Sequence, residues 1–218
     1  MKRTVSKIEL YNVNFSYGEK PLYGKGISTK LRKGNIYLLN GPNGSGKSTL
    51  ANILLKIWRN YKGRILIDDI DLKDLARREI SDLIGLSFQK TPIFHDTVKN
   101  NICLGLNGNV EGLLPLMGFD KDLEAMNRNL DSWLKDSSSL SGGQAQKVGI
   151  MRTLFQEKEV YIFDEPTANL DQQSKRSFFH LMQKIKQDKI IILISHEEDI
   201  IQYVDEVIDI KGGKQKCI

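Results

Sequence analysis

Gly41-Pro42-Asn43-Gly44-Ser45-Gly46-Lys47-Ser48 has the spacing G-x-x-x-x-G-K-[ST]. Glycines let consecutive backbone N–H groups turn into one concavity, and such a concavity binds anionic oxygens. A helix that leaves the loop adds the positive partial charge of its N-terminus. Lys47 is placed to reach the outer phosphates of a nucleotide, and the Ser48 hydroxyl can ligate Mg2+. A second stretch, Val160-Tyr161-Ile162-Phe163-Asp164-Glu165, puts two carboxylates behind four apolar residues. A buried strand ends on an acid only where a cation or water meets it. Asp164 is expected across from Ser48, in the Mg2+ shell, and Glu165 is expected to polarise an attacking water as general base.

These groups need a sheet to hold them. The apolar run 36–40 enters the loop as a strand, and KSTLANILLKIW (47–58) leaves it with apolar residues at helical spacing. KIELYNVNFSY (7–17) alternates and is rich in Val, Ile, Tyr and Phe, so it reads as a strand. Further strands are expected at 64–69, 84–88, 159–163, 189–195 and 205–210, and helices at 96–103 (opened by an acidic cap), 120–134, 145–156 and 172–187. Continuous apolar strands alternating with helices indicate a parallel sheet covered on both faces. Between 104 and 139 the β-branched runs vanish, as in a small helical lobe inserted into an α/β core.

Composition bounds the class. The 218 residues are 40% hydrophobic and 27% charged, which excludes collagen-like, low-complexity and wholly disordered chains. The aliphatic run 190–194 is far shorter than the ~20 residues needed to cross a bilayer, and 1–12 holds no apolar leader core. The chain by itself is expected to be soluble and intracellular. The net charge of +5 comes from scattered residues, so no nucleic-acid partner is expected. Cys103 and Cys217 form no CxxC or Cys/His cluster, which argues against a disulfide scaffold or a zinc site.

Leu140-Ser141-Gly142-Gly143-Gln144 resembles the signature of ATP-binding cassette (ABC) ATPases, and other motifs follow in that family's order between Tyr17 and His196. The resemblance is to the nucleotide-binding part of an ABC transporter, exporter-like around FQKTPIFHDTVKNNI. It implies an α/β P-loop NTPase (RecA-like) fold: a mixed sheet core, an N-terminal antiparallel β subdomain and an inserted small α-helical subdomain. One cassette would span 1–218, with core and β lobe in 1–90 and 157–218 and the signature lobe at about 91–156. The resemblance further implies that ATP is held by Gly41, Pro42, Asn43, Gly44, Ser45, Gly46, Lys47, Ser48 and Thr49, with Tyr17 stacked on adenine. Mg2+ would be held by Ser48, Gln89 and Asp164. Glu165, His196, Gln89 and Lys47 would carry catalysis, with His196 donating to the γ-phosphate and orienting Glu165. Ser141, Gly142, Gly143, Gln144 and the D-loop residue Asp171 would complete the nucleotide site, the signature facing the phosphate loop of a second cassette. ATP would close that pair and hydrolysis reopen it. The second partner implied is a transmembrane subunit or domain, which places the chain peripherally at the cytoplasmic face of the membrane.

There are departures from the family pattern. Serines 137–139 replace the acidic, glycine-containing segment usual before an exporter signature, and Lys147 and Gly149 stand where arginine and alanine are common. Pro92, Ile93 and Phe94 either meet the membrane partner or pack locally. A soluble non-transport ABC ATPase and a nucleotide-dependent regulatory module are the alternatives. The first needs a long coiled coil between Gln89 and Ser141, and no sustained heptads occur there.

Overall fold

The computed structural model describes residues 3–210 and 214–217; the chain's first residue and the Cys217 thiol lie outside what it describes. The strands are β1 (Lys7–Tyr17), β2 (Lys20–Pro21), β3 (Ile27–Arg32), β4 (Ile36–Asn40), β5 (Tyr61–Ile67), β6 (Ile70–Asp71), β7 (Ile84–Ser87), β8 (Asp96–Thr97), β9 (Trp133–Leu134), β10 (Val160–Asp164), β11 (Ile190–Ile194), β12 (Glu206–Asp209) and β13 (Lys214–Cys217). The helices are α1 (Lys47–Leu54), α2 (Arg77–Leu83), α3 (Val98–Cys103), α4 (Phe119–Ala125), α5 (Gly142–Phe155) and α6 (Gln172–Ile185).

β12, β4, β11, β10 and β7 form a parallel sheet in that order, with β13 antiparallel on the β12 edge. Alternate residues of each strand enter different cores, as a pleat with two covered faces requires. Tyr37, Leu39, Val160, Ile162, Ile190, Ile192 and Ile194 join α1, α2 and the β1–β3–β5 lobe. Ile36, Leu38, Tyr161, Phe163, Ile191 and Leu193 join α3, α5 and α6. Each fully buried aliphatic or aromatic side chain contributes about 1.5–3 kcal/mol, so the two cores hold the sheet from both sides. The N-terminal lobe is antiparallel, with β1 between β3 and β5. The fold is thus a P-loop NTPase mixed sheet with an antiparallel β layer and helices between 98 and 155.

Several elements depart from the sequence expectation. The helix after the loop ends at Leu54 rather than Trp58, because Lys56 adopts φ 57° and its N–H closes back on Ile53 O. The helix expected over 96–103 starts at Val98. Its cap is the Thr97 side chain, which accepts from Asn100 N–H, while Asp96 pairs with Leu134 in a two-stranded ladder. The helix expected over 120–134 is only α4, and Asn127 at φ 52° turns the chain toward β9. α5 begins at Gly142 rather than 145, because Ser141 caps it. β3, α2 and β13 carry no clear periodic signal; α2 buries only Ile80 and Leu83.

Candidate functional site

Register decides which loops meet. Leu39 of β4 lies beside Ile194 of β11, and Ile194 lies beside Asp164 of β10. Phe163 lies beside Ser87 of β7. The carboxyl ends of four neighbouring strands therefore deliver the glycine-rich loop, Ser195–His196, Asp164–Glu165 and Phe88–Gln89 to one edge, the usual ligand edge of an open parallel sheet. Gln89, Asp164, Glu165, Ile194 and His196 line a cleft of about 390 Å³ together with Tyr17, Leu22 and Asn43 to Thr49.

The loop turns on Gly46 at φ 96°, where a Cβ would fall 2.6 Å from the Tyr23 ring. The Tyr23 hydroxyl donates to Gly46 O at 2.8 Å and holds the turn. The Lys47 ammonium donates to Gly41 O (2.7 Å) and Pro42 O (3.3 Å), so it lies along the inside of the loop. Gly41 and Pro42 themselves face a neighbouring crevice. The buried Ser45 hydroxyl has no hydrogen-bond partner among the described residues, so the loop offers a donor to a ligand. The Ser48 hydroxyl donates to Asp164 Oδ2 at 2.8 Å. Burial pushes the Asp164 carboxyl above its usual range, with the Ser48 bond and the Lys47 charge opposing and Glu165 adding to the rise. A desolvated carboxylate beside a hydroxyl, open to a phosphate pocket, suits a hard cation that keeps most of its other oxygens. Among the described residues no cluster of three His, Cys, Asp or Glu offers a different kind of metal site.

Glu165 leaves β10 at φ 50°, a strained conformation for a side-chain-bearing residue that costs on the order of 1–3 kcal/mol. The turn sets its carboxylate against the two residues that follow β11. Oε1 lies 2.9 Å from His196 Nδ1, and Oε2 accepts from the Ser195 hydroxyl at 3.3 Å. The Glu165 carboxylate raises the His196 pKa above the ordinary histidine value. Glu165 is buried whereas the His196 side chain is 59% exposed, so the imidazole reaches from the carboxylate into the cleft.

Two participants escape sequence reasoning. Ser195 is hidden at the end of an apolar strand. Gln146 on α5 is buried; its amide donates to Glu165 O at 2.5 Å and accepts from Asn169 N–H at 3.1 Å. It ties the helix that follows the signature to the backbone of the acidic turn. No periodicity marks it, because a buried glutamine on a helix is not distinguishable in sequence from a surface one.

Tyr17 is 58% exposed and lines the cleft, its hydroxyl 3.1 Å from Thr49 Oγ1. Gln89 also lines the cleft. Ser141, Gly142, Gly143, Gln144 and Asp171 do not. Ser141 and Gln144 cap each other: the serine oxygen accepts from Gln144 N–H, and Gln144 Oε1 accepts from Ser141 N–H. Asp171 caps α6 by accepting from Ser174 N–H (2.8 Å) and its hydroxyl (3.0 Å), and the backbone bond foremost holds its carboxyl below the usual range. Of the 92–94 trio, Ile93 is buried in the helical-side core, so for it the local-packing alternative holds. Pro92 and Phe94 are exposed and line a groove with Phe88, Leu104 and Arg152, the Arg152 guanidinium 5.2 Å from the Phe94 ring centre.

A model of the ABC transporter family matches residues 24–168. The chain is 30% identical to the Arabidopsis thaliana protein named ABC transporter B family member 29, chloroplastic, over 99% of this chain and 35% of that protein. It is 30% identical to ATP-dependent lipid A-core flippase 2 of Colwellia psychrerythraea, over 98% of this chain and 38% of that one. Among solved structures, that of a bacterial Atm1-family ABC exporter with ATP bound superposes with a TM-score of 0.90 at 26% identity, over 98% of this chain and 39% of the exporter. The chain thus spans less than two-fifths of the length of these relatives. No described helix is long and apolar enough to cross a membrane.

Proposed function

The chain belongs to the ABC transporter family and corresponds to its exporter-type nucleotide-binding part, and from that premise we propose that it binds and hydrolyses ATP to power transport by a membrane partner. The single observation that carries this reading is the Ser48–Asp164 and Glu165–His196 pairs meeting in one cleft behind the glycine-rich loop. Residues 41–49 cradle the phosphates, with Lys47 swinging from the loop carbonyls to phosphate oxygens of higher negative charge. Tyr17 stacks on the adenine, a contact that tolerates any base because every base has a π face. Ser48, Asp164 and Gln89 would hold Mg2+, which supplies neutralisation of phosphate charge when bound. Glu165 accepts a proton from water as the water oxygen attacks the γ-phosphorus. The β–γ bridging oxygen leaves with ADP. His196 orients Glu165 through the 2.9 Å bond and turns its other nitrogen to the γ-phosphate.

Ser141 to Gln144 lie on this chain's surface as a capped helix start, which suits them to another cassette's triphosphate. Two chains, identical or homologous, then close head to tail over two ATP molecules. The exposed Phe88, Pro92 and Phe94 beside Gln89 supply an apolar seat for the transmembrane partner, and 91–156 form the signature lobe that follows its motion. The chain would then act at the cytoplasmic face of the membrane. Glu165→Gln tests the reading: turnover should fall about 10²–10⁴-fold, the usual contribution of a general base, while ATP binding and ATP-dependent dimers persist. Steady-state phosphate release and light scattering read the two effects. Turnover at the parent rate removes Glu165 from the role of base.

A further inference from the structure

Phe15, Tyr17 and Trp58 form a closed aromatic trio at the base end of the cleft. Ring centres lie 4.8 Å apart for Phe15–Tyr17, 5.7 Å for Phe15–Trp58 and 6.1 Å for Tyr17–Trp58, and both contacts to Tyr17 are edge-on, at 73° and 87°. These separations are those of attractive quadrupole pairs. Phe15 is buried, whereas Trp58 is 41% exposed and does not line the cleft itself. The way Trp58 arrives is specific. α1 stops at Leu54, Lys56 takes φ 57°, and the N–H groups of Ile57 and Trp58 both donate to Asn52 O. The Lys56 ammonium donates to Lys73 O at 2.8 Å and to Leu75 O, which anchors the turn on the neighbouring β6–α2 segment.

Tyr17 is therefore gripped from both ends of one segment, α1 and the turn that follows it. Thr49, in the first turn of α1, takes its hydroxyl, and Trp58, just past the last turn, meets its ring. The same helix begins at Lys47 of the phosphate loop. We propose that Trp58 is a positioning residue for the base: it holds the Tyr17 ring in the orientation that stacks on adenine, so that α1 and the turn after it set the distance between base and phosphate sites. This rests on Tyr17 contacting the base. A free tyrosine at an exposed strand end would spend its time among rotamers, and a ring held by two edge contacts and a hydroxyl bond meets the base without that ordering cost.

The experiment compares the magnesium complexes of ATP and of inorganic triphosphate, a ligand without a base, by calorimetric titration of the chain and three variants. Trp58→Ala is expected to weaken ATP about 3- to 10-fold, the worth of an aromatic pair, and to leave inorganic triphosphate unchanged. Trp58→Phe should restore ATP to within about twofold, since a smaller ring keeps an edge contact. Tyr17→Ala should weaken ATP at least as much as Trp58→Ala, again with triphosphate unchanged. If Tyr17→Ala weakens ATP and Trp58→Ala does not, the positioning role is overturned and the base contact stands. Equal loss of both ligands in Trp58→Ala also overturns it, because that is damage to the fold. If neither variant changes ATP affinity, the base contact of Tyr17 fails and this inference falls with it.

Discussion

The phosphate loop and the signature are both glycine-rich turns that open a helix, yet the chain treats them differently. The loop at 43–48 faces a cleft that its own chain completes: Asp164 meets Ser48, Glu165 pairs with His196, and Gln89 joins them in the lining. The signature at 141–144 satisfies itself with a reciprocal serine–glutamine cap and does not line that cleft. One helix start is completed by strand ends that follow Ser48 by 41 (Gln89), 116 (Asp164) and 148 (His196) residues; the other is completed locally by its own cap. The lesson is that similar local chemistry gives a lined cleft or a self-satisfied turn according to what the sheet delivers beside it.

The largest test of that contrast is Ser141→Arg. A long cation placed where a second phosphate loop should dock costs several kcal/mol, so ATP-dependent dimerisation should weaken about 100-fold or more by sedimentation. Affinity of the single chain for ATP should stay within about twofold, with about 1 kcal/mol of stability lost from the missing cap. Loss of single-chain affinity instead would contradict the division into two halves. Lys47→Ala attacks the completed half: about 10- to 100-fold of ATP affinity should disappear with one charge-assisted contact, and an unchanged titration refutes the role.

A smaller effect sits on the seam between the two regions. Gly149 of α5 faces Thr91, two residues after Gln89, and a Cβ there would crowd the Thr91 hydroxyl and fall 3.1 Å from its methyl. Overpacking of this kind costs about 1–3 kcal/mol, against about 1 kcal/mol gained from replacing a helical glycine by alanine. Gly149→Ala should lower stability in the parent and raise it in a Thr91→Ala background, as read by urea unfolding. The same sign in both backgrounds would dismiss the contact.

The smallest concerns pH. The His196 pKa is raised in the folded chain, so its pairing with Glu165 contributes fully below the unfolded histidine value and is lost as pH rises through the folded one. NMR titration should find the His196 midpoint lowered in Glu165→Gln. An unmoved midpoint would separate the two side chains in solution.

Sequence alone determined the local chemistry. Backbone permissiveness at Gly41, Gly44 and Gly46, a lysine and a hydroxyl in fixed succession, and an apolar strand ending on two acids are written in neighbouring residues, and 3.6- and 2-residue periods mark most of the core. Where periodicity was weak the reading slipped: α2 buries only Ile80 and Leu83, and the chain after α4 turns at Asn127 instead of continuing as helix. Tertiary structure decided which chemistries meet. The β4–β11–β10–β7 order brings residues 41–49, 195–196, 164–165 and 89 to one edge. Strand register also places Ser195 beside Glu165, the packing of α5 on the acidic turn places Gln146, and a left-handed turn after α1 places Trp58. Periodicity reports which side of an element is apolar. Neighbours across a sheet are set by the sum of many weak contacts, and no short stretch of residues contains that sum.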